Sequence, residues 1–484
     1  MVFEPYTLMV MVLAAFYGLF VGAVPGLTAT MATALLVPVT FFMAPIPAVA
    51  VMVTATAMAI FSGDIPGCLL RIPGTPASAA YTDEAYAMTR KGEAEKALGA
   101  SLVFSAVGAL FGTVVLIVAA PALAEFASQF SSFEYFWLVL LGLTCAVFIT
   151  SAQPLKGLIT LFLGLLVACV GLDNPAGFPR FTFDSVEVMG GIGMIPIMIG
   201  MFAFSEILRF VADTSPPTTA VVEKVGNVLK GQWQVARKYP VQILRGSALG
   251  TSVGALPGAG ADIAAWMSYA ISKKFSKEPE KFGTGHVEGL VEAGAANNSS
   301  LAGAWIPALV FGIPGDSITA IVIGVLYMKN LNPGPSLFTT NPQNIYAVFL
   351  IFILANLLMI PLGILCIKGA RRVLQVPRNI LMPVILMFCI VGTFAINNTL
   401  FSVQVMLVAG LVAYVLECNK FPIAPAILGV VLGGMLENNF ITSMIKADGN
   451  MLAFFSRPIA ATLACVTILI WVSPSLLGLI RRRQ

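Results

Sequence analysis

The sequence predicts an all-α polytopic membrane protein: about 12 transmembrane or re-entrant segments in two inverted-topology repeats, with Pro-Gly-broken helices at the midplane. Three observations lead there: the composition, the series of spanning-length apolar stretches, and a pair of Pro-Gly motifs that recurs in order. Of the 484 residues, 58% are hydrophobic and 10% are charged, far below the roughly 25% charged content of soluble domains. That excludes a soluble enzyme, a disordered tail protein and a single-anchor receptor.

A bilayer-spanning helix takes about 20 apolar residues. Stretches approaching that length fall at 6–24, 28–46, 47–62, 98–120, 133–151, 155–172 and 186–211, then at 344–366, 379–397, 401–417, 423–437 and 451–475. Residues 1–17 lack a basic start and a small-residue cleavage signature, so they read as a retained first span. Between 60 and 80, and again between 241 and 330, Gly, Pro, Asn and Ser interrupt the pattern. Unpaired backbone is costly in lipid, so these segments are expected inside protein or along a wet cavity.

The interruptions repeat. Val21-Gly22-Ala23-Val24-Pro25-Gly26 matches Val253-Gly254-Ala255-Leu256-Pro257-Gly258 at an offset of 232, and Gly18 matches Gly250. Ile65-Pro66 and Ile72-Pro73-Gly74 match Ile306-Pro307 and Ile313-Pro314-Gly315 at an offset of 241. The loop at 273–287 absorbs the difference. It carries Lys273, Lys274, Lys277 and Lys281, whereas its first-half counterpart at 41–47 carries no cation. After the second motif the bias reverses: Arg90, Lys91 and Lys96 in the first half, Lys329 alone in the second. By the positive-inside rule, corresponding loops lie on opposite faces of the membrane. The sequence therefore divides into a first repeat at 1–212, a cytoplasmic linker at 213–240 and a second repeat at 241–484. The loops at 209–238, 368–378 and 481–483 are cytoplasmic on this reading, and the N-terminus lies outside.

Paired, interrupted helices in inverted repeats point to the binding site of a secondary transporter. A helix end inside the membrane presents unpaired N–H groups and roughly half a positive charge, which attract an anion. The implied guest is a carboxylate. Its expected cradle is Pro25, Gly26, Thr28 and Thr30 at the first break, and Pro73, Gly74 and Thr75 at the second. Pro257, Gly258 and Gly260 serve at the third, and Pro314, Gly315, Asp316 and Ser317 at the fourth. Ser78 and Thr319 add hydroxyls. For a single motif, the competing reading is a kinked helix with packing hydroxyls.

Ionisable groups in apolar surroundings are functional candidates because each is costly to bury. Asp64, Arg71, Arg245, Asp262 and Glu292 stand in such surroundings, as does Asn297-Asn298-Ser299-Ser300. The coupling-ion candidates are Thr54, Thr56, Asp262, Glu292, Asn297, Asn298 and Ser299, which offer hard oxygens to a sodium ion or a carboxylate to a proton. The structural alternatives are an Asp64–Arg71 pair and an Arg245 that snorkels to the cytoplasmic face. Asn397-Asn398 and Asn438-Asn439 sit at expected span ends and read as loop or cap residues.

Other chemistry finds no support. The seven cysteines are scattered and read as small buried hydrophobes, and the single His286 cannot build a multi-histidine metal site. No cofactor is called for beyond a coupling sodium ion or proton. The 27 basic and 23 acidic residues form no patch for nucleic acid. No phosphate-binding G-x-x-x-x-G-K-[ST] occurs. An intramembrane enzyme using Asp64, Glu292 or Asp316 lacks a supporting constellation, and a passive channel would favour a continuous pore over duplicated breaks.

The run Gly254-Ala255-Leu256-Pro257-Gly258-Ala259-Gly260, followed by Lys281-Phe282-Gly283, Ala295-Ala296-Asn297-Asn298 and Gly312-Ile313-Pro314-Gly315, resembles the large membrane subunit TctA of the tripartite tricarboxylate transporters. So do Ala34-Leu35-Leu36-Val37-Pro38, Leu69-Leu70-Arg71-Ile72-Pro73-Gly74-Thr75-Pro76 and Arg180-Phe181-Thr182-Phe183. The resemblance covers nearly the whole chain. It implies a prokaryotic inner-membrane importer of tri- or dicarboxylates driven by an ion gradient. The implied partners are a small membrane subunit (TctB-like) and a periplasmic solute-binding protein (TctC-like), with the lipid bilayer around them. Two departures stand out: Ala293-Gly294 where many members carry Pro-Glu, and Asp64 where a small residue is usual.

Overall fold

A computed structural model describes residues 1–150, 153–172, 177–212, 226–374, 376 and 378–481. The first part of the linker expected at 213–240 falls outside the described residues. Among those described there are helices and no strand. The first half contains α1 (Pro5–Ala23), α2 (Ala29–Phe41), α3 (Pro45–Leu70, turning at Gly63), α4 (Thr82–Arg90) and α5 (Ala94–Ala127). Then come α6 (Ser132–Thr150), α7 (Pro154–Ala168) and α8 (Met194–Ala212). The second half contains α9 (Pro240–Gly254), α10 (Gly260–Phe275), α11 (Val287–Phe311), α12 (Ser317–Met328) and α13 (Pro342–Val373). It closes with α14 (Arg378–Asn397), α15 (Leu400–Cys418), α16 (Ala424–Lys446) and α17 (Pro458–Arg481). Proline opens α1, α3, α7, α9 and α13, where its missing N–H costs no helical bond.

Eight helices among the described residues are long and apolar enough to cross a bilayer: α1, α3, α5, α8, the bulk of α13, α14, α15 and α16. The expected boundaries shift in four places. The stretch at 28–46 yields only the 13-residue α2, because the chain turns before Pro45 opens α3. The stretch at 47–62 belongs to a helix that runs on to Leu70. The stretch at 423–437 extends to Lys446, so Asn438-Asn439 lies inside a helix, with Asn439 donating to the Met435 carbonyl at 2.8 Å. The stretch at 451–475 becomes helical only at Pro458, after a short 3-10 turn. Cys418 and Cys465 are exposed rather than buried, on outward faces of α15 and α17.

The centre is α11, in which every residue from Val287 to Phe311 is buried, and it packs chiefly on α5 and α9. In the first half, α3 packs on α1 in the same manner. Small residues set these distances. Gly18 lies on the Ala55 carbonyl and Gly22 on the Ala59 carbonyl, where an added Cβ would come within 2.2 and 2.3 Å. Gly250 lies likewise on the Ala296 carbonyl and Gly254 on the Ser300 carbonyl, each at 2.3 Å. The glycines are separated by the first offset of the sequence repeat and the carbonyls by the second.

Candidate functional site

All four Pro-Gly motifs interrupt helices. After α1 the chain turns through Gly26 (φ +87°), and Thr28 caps α2 by accepting the Met31 N–H at 3.1 Å. After α9 it turns through Gly258 (φ +82°), and α10 begins at Gly260 without a side-chain cap. The other two breaks share one motif. Arg71 (φ +60°) ends α3, with the Ile72 N–H reaching the Pro66 carbonyl at 3.3 Å, and Gly312 (φ +69°) ends α11, with Ile313 reaching Pro307 at 3.3 Å. A left-handed residue satisfies the last carbonyls of a helix in this way.

The following turns are capped reciprocally. The Thr75 N–H donates to Ser78 Oγ and the Ser78 N–H to Thr75 Oγ1, both at 3.1 Å. In the second half the Thr319 N–H donates to Asp316 Oδ1 at 2.7 Å and the Asp316 N–H to Thr319 Oγ1 at 2.9 Å. These side chains serve the chain's own amides. The start of α12, expected to receive an outside anion, already holds the Asp316 carboxylate. Thr30 lies in the first turn of α2 and Ser317 opens α12.

Within each half the two breaks touch. Gly74 packs on the Gly22 carbonyl and Gly63, and Gly315 on the Gly254 carbonyl and Ala304. The Gly258 N–H donates to the Gly315 carbonyl at 2.8 Å. Pro25 and Pro73 thus flank one junction, and Pro257 and Pro314 the other. The halves also meet beside these breaks, where α10 packs on the turn at Ser78–Ala80 and Asp262 faces the Ala77 amide. Gly260 lies against Asp316, bringing two carboxylate-bearing residues to one side of the junction.

The glycines at the breaks differ in what an added Cβ would meet. A side chain at Gly258 would strike the Ala146 backbone of α6 at 2.5 Å, and one at Gly315 would strike the Gly254 carbonyl at 2.4 Å. Both glycines serve helix packing. Gly26 is different: its absent Cβ faces the Arg378 guanidinium at 2.7–2.9 Å. Sequence reasoning placed Arg378 in a cytoplasmic loop. No local signal reveals that the first turn of α14 lies beside a break more than 350 residues earlier.

The coupling-ion candidates do not converge on one point. Glu292 is buried and receives Arg245 through two bonds of 2.7 and 2.5 Å, so its charge is already balanced. Arg245 is therefore clamped rather than snorkelling freely. Thr56 donates to the Met52 carbonyl at 2.7 Å and meets Thr33 at 3.1 Å. Ser299 turns back to the Ala296 carbonyl at 3.2 Å. Asn297 donates to the Tyr81 hydroxyl at 2.9 Å, and Asn298 to the Met359 sulfur at 3.5 Å. Thr54 Oγ1, Asn297 Oδ1 and Asn298 Oδ1 are buried without a hydrogen-bond partner, which is costly for polar atoms unless a ligand or water reaches them.

Asp64 and Arg71 are not paired. Arg71 binds Asp83 at 2.9 Å near the surface, while Asp64 receives Tyr81 at 2.7 Å and also the Ser101 hydroxyl. Glu84 was likewise missed. It is fully buried and accepts the Tyr269 hydroxyl at 2.8 Å and the amides of Gly285 and His286 at 2.7 and 2.8 Å. It thereby ties the loop after α10 to α4, although in sequence it reads as one more loop carboxylate.

A family model described as the tripartite tricarboxylate transporter TctA family matches residues 8–428. An uncharacterized 52.8 kDa protein of Agrobacterium vitis, described by its place in the TAR-I ttuC' 3'region, is 33% identical over 456 residues. The match covers 93% of this chain and 90% of that protein. A second A. vitis protein, in the TAR-II ttuC' 3'region, is 34% identical over 230 residues, which is 47% of this chain and 95% of its own length. No solved structure matches the chain.

Proposed function

The chain belongs to the tripartite tricarboxylate transporter TctA family, and from that premise we propose that it is the subunit through which an organic carboxylate crosses the inner membrane. A tri- or dicarboxylate would be delivered by a periplasmic solute-binding protein, assisted by a small membrane subunit, and drawn inward by an ion gradient. The single observation that carries this reading is the pair of junctions between interrupted helices, one in each half, with the Arg378 guanidinium on the Gly26 turn.

At that turn the groups able to hold a carboxylate converge. The first amides of α2 carry the positive end of the helix dipole, Gly26 lets backbone approach closely, and guanidinium offers a planar fork to a carboxylate. The two halves, proposed to be oppositely oriented, would expose this point alternately to each face of the membrane. The buried Glu292 carboxylate is balanced by Arg245 and is not open to the guest.

Proteoliposomes containing the chain and its partner subunit, offered a panel of radiolabelled tri- and dicarboxylates, test the proposal. Accumulation above the outside concentration under an imposed ion gradient is the expected result. Downhill flux alone would make the protein a channel, and consumption of the carboxylate would make it an enzyme.

A further inference from the structure

Among the described residues, Asp64 is the one carboxylate deep in a spanning helix with no cation paired to it. It lies in α3, whose spanning window is wholly buried, and the residue itself is 4% exposed. Among the described residues no lysine, arginine or histidine pairs with it. Tyr81 donates to one oxygen and Ser101 to the other. Tyr81 in turn accepts from Asn297 of α11, so the carboxyl is wired across the protein to the central helix.

The surrounding charges are committed elsewhere. Tyr81, from the turn before α4, and Cys68, one turn further along α3, are the titratable groups that face it. On α4, Asp83 is held by Arg71 and Glu84 by the 283–286 loop, while Arg90 lies at the far end. α5 presents Ser101 here, with Glu95 and Lys96 a turn or more earlier, and the nearest titratable group on α1, Tyr17, donates to the Ala32 carbonyl. On α11, Glu292 is paired with Arg245.

An ionised carboxylate taken from water without a counter-charge is strongly disfavoured. A metal ion would need several oxygens in addition to the carboxylate, yet both Asp64 oxygens are already occupied by hydroxyls. A proton needs only one hydroxyl to turn. Ser101 can redirect its O–H to the Ala97 carbonyl one helical turn back and accept from the newly formed Asp64 O–H, while Tyr81 continues to donate to the other oxygen. One proton is gained and one hydroxyl rotates. We propose that Asp64 is a proton-binding carboxyl and that its proton is the ion coupled to transport. The coupling half of this inference rests on the carboxylate-import reading; the proton-binding half does not.

Infrared difference spectroscopy of the purified full chain across a pH titration tests the binding half directly. A protonated-carboxyl band should be present, shift in D2O and vanish in Asp64→Asn. Tyr81→Phe should keep the band but move it, because one hydrogen bond to the carbonyl is lost; this holds even if Asp64→Asn folds poorly. A titration with no band attributable to Asp64 overturns the proposal. In the transport assay, an inward gradient of one pH unit coupled to one proton supports about a tenfold accumulation. Asp64→Asn should lower that ratio to about one while leaving carboxylate exchange without a gradient intact. Accumulation driven by sodium and indifferent to pH overturns the coupling half. A native protein that moves no carboxylate under any gradient overturns both that half and the import reading, and the infrared band still decides whether Asp64 holds a proton.

Discussion

Replacing Gly26 and Gly258 by alanine separates the two uses to which these turns are put. Both glycines hold positive φ, +87° and +82°, so an added Cβ costs about 1–2 kcal/mol at either site. What the Cβ meets differs. At Gly26 it meets the Arg378 guanidinium at 2.7–2.9 Å, the end of a flexible side chain that can withdraw. At Gly258 it meets the Ala146 Cα at 2.5 Å, backbone that cannot withdraw without moving α6. Overpacking of that kind adds about 1–3 kcal/mol. The total is then about 2–5 kcal/mol for Gly258→Ala against about 1–2 for Gly26→Ala. Thermal melting of the purified variants in detergent, followed by uptake in proteoliposomes, reads both quantities. Gly258→Ala should melt clearly lower than the unaltered protein. Gly26→Ala should melt closer to it yet lose most of its carboxylate uptake, because its guanidinium is displaced. Equal melting of the two variants would refute the packing argument, and full uptake by Gly26→Ala would refute the role given to its neighbour.

Arg378→Gln shortens the side chain and removes the charge, so it should raise the carboxylate KM at least tenfold with little change in melting, in line with the worth of a charge-assisted pair; a KM that does not move places the anion elsewhere. Glu292→Ala should destabilise by about 2–3 kcal/mol, below the full range for a broken buried pair because Arg245 keeps 26% of its side chain exposed. The double variant Arg245→Met with Glu292→Met should recover most of that loss, as melting of the three proteins will show. Asp316→Thr recreates the neutral cap of the first half; it should cost only a few tenths of a kcal/mol as a helix cap while removing a negative charge beside the junction. Its carboxylate affinity, measured by competition uptake, should rise, and a fall would show that Asp316 helps to hold the guest.

Much of the architecture was legible in the sequence because it is written in local chemistry. Proline beside glycine marks where a helix can break, although Pro38, Pro121, Pro307, Pro361 and Pro383 stand inside helices, and the spacing of Gly18, Gly22, Gly250 and Gly254 marks where backbones approach whatever the partner. The breaks at Pro25, Pro73, Pro257 and Pro314 were therefore found in advance. What escaped depends on contacts between distant segments. Arg378 reads as a loop cation until α14 is laid beside α2, and Glu84 reads as a solvated carboxylate until the 283–286 amides close on it. Asp64 and Arg71 look like natural partners, about two helical turns apart. Arg71, however, adopts the left-handed conformation that ends α3, which turns its side chain away toward Asp83. The hydroxyls of Thr75, Ser78 and Thr319 were assigned to a guest, and in the structure they cap the chain's own amides.

The two halves share contacts but not charge, and the difference bears on where an anion can settle. The second break of the first half is capped by Thr75 and Ser78, both neutral; its counterpart is capped by Asp316 and Thr319. The first turn of α2 carries Thr30 where α10 carries Asp262. Both carboxylates fall in the second half, and Asp262 reaches across to the Ala77 amide. The guanidinium of Arg378 stands instead beside the first break of the first half. A structure duplicated in its backbone is thus polarised in its side chains: amides and a cation at the Gly26 turn, carboxylates at the start of α10 and α12. On the carboxylate-import reading, an arriving carboxylate would be repelled by the second-half helix starts and drawn to the first-half turn, where the start of α2 is capped by the neutral Thr28.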